Sequence, residues 1–255
     1  MNSDVFTTPE RTIKPRSTGI TMVIDSYLGL NGAQDLVEVG GPFIDYVKLG
    51  WATALINPII EDKIRIFRDS GIDICLGGTF FELAYLQNKL DKFNNFLDKF
   101  NIKLIEISDG TVAIPRADKL KLISQYAKRF RVLSEYGSKD SSSELIAPHY
   151  WAKHMQEELD AGAWKVVAEG RESGTAGLYR GSSELRTGLV DEIVDFIDID
   201  KILWEAPKKP HQAYFIKKFG SNVNLGNIAP KDIIPLETLR LGLRSDTLLN
   251  FHQTK

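Results

Sequence analysis

Short runs of β-branched and other apolar residues alternate along this chain with longer segments of helical periodicity. The runs recur every roughly 25 to 35 residues, which is the length of one strand–helix unit. The eight runs are Ile20–Asp25, Tyr46–Leu49, Ile72–Leu76, Lys103–Ile107, Arg131–Glu135, Trp164–Glu169, Ile202–Glu205 and Asn222–Leu225.

The segments between the runs predict amphipathic helices. Ser182 or Ser183 is the predicted N-cap of one of them. The helices are expected at Glu61–Ser70, Phe80–Phe100, Asp118–Phe130, Ala147–Ala161, Ser183–Asp195, Pro210–Phe219 and Pro235–Asn250.

This alternation predicts an α/β fold with parallel strands and helical crossovers. Eight units favour closure into a single (β/α)8 barrel, and a doubly wound open sheet is the alternative. The length of 255 residues suits one such barrel, which needs roughly 250. The whole chain is expected to form one domain, with residues 1–15 as an N-terminal arm and 251–255 as a frayed tail.

The composition of the chain excludes several classes of function. The net charge is −2 and no basic face dominates, which argues against nucleic-acid binding. Cys75 is the single cysteine and lies in an apolar run, so we expect a buried structural thiol without a disulfide. Neither a secretory signal nor an apolar segment of membrane-spanning length is found, which predicts a cytoplasmic protein without a membrane partner.

Charged residues stand where the predicted strands end, and barrel active sites lie at this end of the strands. Carboxylates on central strands are costly to bury unless they are paired or bound to metal. Several carboxylates at the same end of the barrel predict a bound hard cation such as Mg²⁺. The alternative for each carboxylate is a salt bridge to a lysine or arginine. The positions are Asp25, Lys48, Glu106, Asp109, Glu135, Glu169 and Glu205.

Glycine-containing turns and an arginine are candidate anion-binding groups. Gly77-Gly78-Thr79 follows the third run and leads into a helix, and Gly226-Asn227 follows the eighth. Backbone N–H groups at such positions can bind phosphate, although a simple tight turn is the alternative. Arg171, after the sixth run, suits bidentate anion binding; its alternative is a salt bridge to Glu172 or Glu205.

Two lysines are candidate catalytic residues. Lys139 lies just past the fifth run, where a lysine beside acids can donate a proton. Lys48 lies within the second run, the position that a Schiff-base lysine would occupy. An aldolase-type mechanism therefore stays open.

Several motifs resemble those of phosphosulfolactate synthases. They occur in the order of that family and span nearly the whole chain. The motifs are Ile20–Asp25, Asp45–Trp51, Gly77–Glu82, Ile105–Gly110, Ser134–Asp140, Glu169–Gly174 and Leu241–Leu248.

The resemblance implies a (β/α)8 lyase that adds sulfite to phosphoenolpyruvate with Mg²⁺ assistance, giving (2R)-phospho-3-sulfolactate. This is the first step of one route to coenzyme M. Plant heat-stress-associated proteins belong to the same wider family, so a divergent or lost activity is the alternative. Barrels of this kind commonly self-associate, and a homo-oligomer is expected.

The resemblance also assigns roles to the candidate residues. Lys139 would be the general acid, and Arg171, Lys48, Gly78, Thr79, Gly226 and Asn227 would hold the anions. Glu106, Glu135 and Glu169, together with Asp25, would form the metal site. The chain departs from the family pattern at Ser26, Leu76 and Ser138.

Overall fold

Eight parallel strands close into a barrel in the order of the chain, β1 to β8. The computed structural model describes residues 6–137, 147–171 and 173–252. The (β/α)8 prediction is confirmed. The strands are β1 (Thr21–Asp25), β2 (Tyr46–Leu49), β3 (Asp73–Leu76), β4 (Leu104–Ile107), β5 (Arg131–Tyr136), β6 (Lys165–Ala168), β7 (Ile202–Glu205) and β8 (Leu225–Ile228).

Helices surround the barrel, and each strand is followed by at least one. The helix after β1 was not predicted, because two of its eleven residues are glycines that weaken the helical pattern. The helices are α1 (Leu30–Gly40), α2 (Ile60–Asp69), α3 (Gly78–Leu86), α4 (Leu90–Lys99), α5 (Arg116–Ala127), α6 (Pro148–Asp160), α7 (Thr187–Phe196), α8 (Lys209–Phe219), α9 (Ile233–Arg240) and α10 (Ser245–Phe251).

Two helices predicted as continuous are each broken. The segment Phe80–Phe100 forms α3 and α4, separated where Asn88 has a φ of 54°. The segment Pro235–Asn250 forms α9 and α10, separated where Gly242 has a φ of 66°. A left-handed residue cannot continue a right-handed helix, so both predictions of a single helix were wrong. Phe251 is the last residue of α10.

The predicted helix Ser183–Asp195 begins later than expected. It starts at Thr187 with Arg186 as N-cap, so the assignment of Ser182 or Ser183 as N-cap was wrong. Ser183 has a φ of 67° and lies in a folded loop after β6. An isolated bridge between Tyr179 and Leu185 shapes that loop.

The eighth strand is shifted along the chain from its predicted position at Asn222–Leu225. Its pairing with β1 joins Thr21 to Leu225 and Val23 to Ile228, so β8 has one more residue than β1 between these pairs. This is a β-bulge, and Gly226 and Asn227 lie within the strand rather than in a turn after it. Glycine and asparagine are unfavourable in strands, which is why the sequence pattern misplaced β8.

Alternation along the strands divides the barrel interior into two layers. The lower layer is an apolar cluster that fills the barrel, and it contains Cys75, which is buried as predicted. Two residues further along each strand, the inward positions are charged except at Ile24 and Gly77. The lower layer is Ile20, Met22, Tyr46, Cys75, Leu104, Leu133, Val167 and Leu203; the upper is Ile24, Lys48, Gly77, Glu106, Glu135, Glu169 and Glu205.

The N-terminal arm, as described from residue 6, ties together segments at the opposite end of the barrel. Arg11 donates to the carboxylate of Glu237 at 2.9 Å and to the Asn222 side chain at 2.5 Å. Arg16 pairs with Asp45 just before β2. Among the described residues, no helix has the length and apolar character required to span a membrane.

Candidate active site

A cavity of about 190 Å³ lies above the upper layer, at the C-terminal ends of the strands. Eight of the predicted site residues line it: Lys48, Gly78, Thr79, Glu106, Glu135, Glu169, Arg171 and Asn227. Asp25 and Gly226 do not line it, and Lys139 lies outside the described residues. The remaining lining residues are Ile24, Trp51, Gly77, Thr111 and Glu205.

Lys48 extends from β2 across the floor of this cavity. Its Nζ lies 3.0 Å from Glu106 Oε2 and 3.0 Å from Glu205 Oε1. Burial opposes the charge, but Glu106, Glu205 and Glu135 outweigh it and hold the pKa of Lys48 well above its ordinary range. A Schiff-base lysine must be a neutral amine to attack a carbonyl, so this environment disfavours the aldolase alternative.

Glu106 is held by the start of α3. The Gly78 N–H donates to Glu106 Oε1 at 2.7 Å, and the positive end of the helix dipole favours a carboxylate there. A Cβ at Gly78 would lie 2.3 Å from Ser108 Oγ, so only glycine allows this approach. The Gly78 amide therefore binds a protein carboxylate, instead of being free for a ligand as predicted.

Glu205 is oriented from the loop that follows β6. The Gly170 N–H donates to Glu205 Oε2 at 2.9 Å, and the Tyr179 hydroxyl donates to the Glu205 carbonyl at 2.5 Å. Tyr179 stacks on the His211 ring with centroids 3.8 Å apart. Glu205 was predicted among the acids at strand ends but not as part of the metal site. Its strand-end position, shared with Glu135, was the signal that could have included it.

Three of the glutamates converge on a candidate cation site. Glu106, Glu135 and Glu205 each offer an oxygen within 4.8 Å of the others. The lining contains four glutamates against one lysine and one arginine, a formal excess of two negative charges. An oxygen-only donor set with this excess fits a hard divalent cation such as Mg²⁺. The fourth, Glu169, accepts from the Arg171 N–H at 2.6 Å.

Asp25 has a different environment. Its Oδ2 pairs with the buried Lys63, and its Oδ1 accepts from the Tyr27 and Leu28 N–H groups at 3.1 and 2.9 Å. These contacts fix the turn after β1. The structure therefore does not bring Asp25 to the glutamate cluster, although the sequence placed it in the metal site.

A buried lysine supports β5 from behind the cavity. Lys119 Nζ donates to the Glu135 carbonyl and to Asp109 Oδ1, both at 2.7 Å, and pairs with Glu158 at 3.0 Å. Burial opposes its charge, but Glu158 and Asp109 raise its pKa. Asp109 thus belongs to this network. Lys119 was not predicted, because a lysine in an amphipathic helix gives no signal that it points inward.

Comparison with solved structures shows the same fold. The YdjI aldolase of Escherichia coli K12 superposes with a TM-score of 0.55 at 9% identity, covering 84% of this chain and 76% of that one. The 3-hexulose-6-phosphate synthase of Salmonella typhimurium gives a TM-score of 0.55 at 9% identity, covering 87% and 99%. At this identity the likeness concerns the barrel alone.

Comparison of sequences is more specific. The model of the (2R)-phospho-3-sulfolactate synthase family matches residues 9–246. Phosphosulfolactate synthase of Bacillus subtilis is 41% identical over 249 residues, 97% of this chain and 99% of that protein. The same-named protein of Methanothermobacter thermautotrophicus is 40% identical, covering 97% and 98%. Protein HEAT-STRESS-ASSOCIATED 32 of Arabidopsis thaliana is 22% identical, covering 91% and 88%. The chain belongs to the phosphosulfolactate synthase family.

Proposed function

We propose that this protein is a Mg²⁺-dependent lyase that joins sulfite to phosphoenolpyruvate to give (2R)-phospho-3-sulfolactate. The observation that carries the proposal is the convergence of Glu106, Glu135 and Glu205 within 4.8 Å, beside Lys48, in a chain 41% identical to a phosphosulfolactate synthase. Small anionic substrates suit a cavity that contains both carboxylates and cationic side chains.

The reaction brings two anions together. The sulfur lone pair of sulfite forms a bond to the methylene carbon, and the electrons of the carbon–carbon double bond move toward the substrate carboxylate. A proton is then added to the carbon that bears the phosphate, which completes the balance. Bound Mg²⁺ would supply the positive charge that stabilises the carboxylate oxygens as they gain charge.

The side chains of this chain would divide the remaining tasks. Arg171 suits bidentate binding of the phosphate or carboxylate group. Lys48, held as an ammonium by Glu106 and Glu205, would add positive charge at the cavity floor. Lys139 would donate the proton; this assignment rests on the motif after β5, since the residue lies outside the described ones. Assembly into a homo-oligomer stays a prediction.

Phosphorus NMR tests the proposed activity directly. The pure protein would be incubated with phosphoenolpyruvate, sulfite and Mg²⁺, with each component omitted in turn. We expect the enol-phosphate resonance to be replaced by an alkyl-phosphate resonance only when all three are present. If the folded, metal-loaded protein gives no new resonance, the proposal fails and the divergent activity represented by the plant relative is favoured.

A lysine variant tests the proton donor within the same assay. Lys139→Ala should abolish turnover while binding of phosphoenolpyruvate remains measurable by calorimetry. Substituting the exposed Lys121→Ala provides the matched control, and its turnover should be unchanged. Near-normal turnover of the Lys139 variant would show that another group supplies the proton.

A further inference from the structure

The charged residues of the cavity are unevenly distributed around the barrel. Every carboxylate found in its lining lies on one of the consecutive strands β4 to β7 or directly after it. Since β8 is hydrogen-bonded to β1, the remaining strands β8, β1, β2 and β3 form one continuous half. The groups that this half presents are Asn227, Ile24, Trp51 and Thr79, which we call the carboxylate-free wall. Lys48 also starts on β2, but its ammonium lies against Glu106 and Glu205.

Asn227 is the polar centre of the carboxylate-free wall. Its side chain is 4% exposed, and its Oδ1 accepts no hydrogen bond from any described residue. The oxygen and nitrogen of an amide are interchangeable by rotation, so the same position can present a donor. A buried amide oxygen without a hydrogen-bond donor is unfavourable unless a ligand completes the bonding of the amide.

The bulge in β8 places this amide in the cavity. A Cβ at Gly226 would meet Met22 and Leu203 of the lower layer at 3.2 and 3.3 Å, so this position faces the barrel interior. Strict alternation would then direct Asn227 outward. The extra residue and the φ of 55° at Asn227 instead bring its side chain inward, while Ile228 packs in the outer core. The chain therefore departs from regular strand geometry at a residue that lines the cavity.

Trp51 shows a second departure on the same wall. It adopts a φ of 52°, which is rare for a bulky residue, and strained backbone of this kind clusters at functional sites. Its backbone packs closely on Gly77, where a Cβ would lie 3.0 Å from Trp51 N. Trp51 lines the cavity and is 46% exposed, and Ile24 on β1 lines the same cavity. Asn227 therefore shares the cavity with two apolar residues.

We propose that the carboxylate-free wall is the subsite for the nucleophilic oxyanion, held by Asn227 Nδ2 and by the Thr79 hydroxyl or N–H. This inference rests on the proposed function and names where sulfite binds. A free oxyanion is repelled by the four glutamates, whereas a cation and the substrate bound to it are attracted to them. The Thr79 amide belongs to the first turn of α3, where helices leave N–H groups unpaired.

Neutral donors suit a nucleophile better than a cationic clamp does. Hydrogen bonds to the oxygens of sulfite orient it without an ion pair that would withdraw charge from the sulfur lone pair. The apolar neighbours Ile24 and Trp51 limit its hydration, and a less solvated anion attacks more readily. The positive charge in the opposite half of the cavity, from Arg171 and bound Mg²⁺, is then available to phosphoenolpyruvate, which is the electrophile.

Asn227→Asp tests this subsite with the smallest change, because it replaces a neutral amide by an isosteric carboxylate. We expect the KM for sulfite to rise by at least about tenfold while the KM for phosphoenolpyruvate changes by less than about threefold. Thr79→Val replaces the hydroxyl by a methyl group and keeps the N–H, so it should shift the same constant in the same direction if the hydroxyl is the donor and leave it unchanged if the N–H is. Asn88→Ala, at an exposed left-handed asparagine between α3 and α4, is the matched control.

A binding measurement separates this subsite from the proposed function. Inorganic sulfite would be titrated into the metal-loaded protein without phosphoenolpyruvate, with the indole fluorescence compared between wild type and Trp51→Phe. We expect a saturable signal that Trp51→Phe and Asn227→Asp both lose and Asn88→Ala retains. If wild type binds sulfite in this way but forms no product, the proposed function fails and the oxyanion subsite stands. If product forms but Asn227→Asp changes neither the KM for sulfite nor the fluorescence titration, the proposed subsite is wrong and the proposed function stands.

Discussion

At the scale of single residues, two buried carboxylates that each end a strand have different partners. Glu205 ends β7 and lies in the glutamate cluster, whereas Asp25 ends β1 and pairs with Lys63. Alternation explains the difference: Ile24 points into the barrel, so its neighbour Asp25 points toward the helices. A strand-end acid is therefore predictable from sequence, but the face to which it points depends on register to within one residue.

Substituting these two acids should separate metal binding from stability. Glu205→Gln should weaken Mg²⁺ binding by at least about tenfold, since a carboxylate of the cation site is lost. Asp25→Asn should leave Mg²⁺ binding unchanged but lower the free energy of unfolding by about 3 kcal/mol, because Lys63 loses its buried partner. Calorimetric titration with Mg²⁺ and urea unfolding measure the two effects. Equal weakening of Mg²⁺ binding in both variants would restore Asp25 to the metal site.

Lys165 gives a pH-dependent prediction. Burial lowers its pKa to about 8, whereas a lysine in the unfolded chain titrates near 10.4. Between these values the unfolded state binds more protons, so this group makes the native state more stable as pH rises. Relative to Lys165→Met, wild type should therefore gain stability from about pH 8 to about pH 10.

Urea unfolding of both proteins across this range measures the gain. Other groups that titrate in the same range are present in both proteins, so their contributions cancel in the difference. Lys165 titrates only in wild type, so a flat difference between the two curves would show that Lys165 keeps an ordinary pKa.

At the scale of elements, the start of α3 is determined by what fits beside β4. Gly78→Ala would place a Cβ 2.3 Å from Ser108 Oγ and 3.1 Å from Glu106 Oε1. We expect a loss of about 2 kcal/mol in the free energy of unfolding, because overpacking a buried site forces its neighbours to move. Turnover should fall with it, since Glu106 is displaced from Lys48.

A second helical glycine provides the control for this substitution. Gly188 lies near the start of α7, and a Cβ there would meet nothing within 4 Å. Gly188→Ala should be neutral or stabilising by up to about 1 kcal/mol, because alanine loses less backbone freedom on folding. If both variants lose stability equally, backbone conformation rather than contact with Glu106 decides the effect at Gly78.

Elements were predictable where local pattern and tertiary structure agree. The buried runs at β2 and β7 carry apolar, β-branched or aromatic residues and were placed correctly to the residue. The breaks after α3 and α9 were missed because amphipathic spacing continues across them, while a single left-handed residue turns the chain. The bulge in β8 was missed because Leu225–Ile228 contains the weak strand formers glycine and asparagine.

At the scale of the whole molecule, eight repeated units were enough to predict a closed barrel, and strand-end charges were enough to predict its polar mouth. What the pattern could not supply was the relation between distant residues. The pairing of Lys48 with both Glu106 and Glu205 crosses the barrel. Likewise, Asn227 reaches the cavity only through the pairing of β8 with β1. Both features depend on closure, which joins positions about 200 residues apart in a chain of this length.

Closure itself depends on a buried arginine at the seam between β1 and β8. Arg240 is fully buried in α9 and donates to the carbonyls of Ser221 and Val223 at 2.7 Å and of Ile20 at 3.2 Å. These carbonyls belong to the segments that lead into the two strands. Arg240→Met would leave them without this donor in a dry environment, so the free energy of unfolding should fall by at least about 3 kcal/mol.

Two further variants distinguish this bonding role from general loss of charge. Arg240→Lys keeps the charge but cannot reach carbonyls on both sides of the seam, and should recover only part of the loss. Arg65→Met, at an exposed arginine paired with Asp62, should change stability by less than about 0.5 kcal/mol. Urea unfolding measures all three. The seam also sets the register that places Asn227, so Arg240→Lys should weaken sulfite binding as well. If Arg240→Lys had the full stability of wild type, charge alone would hold the seam.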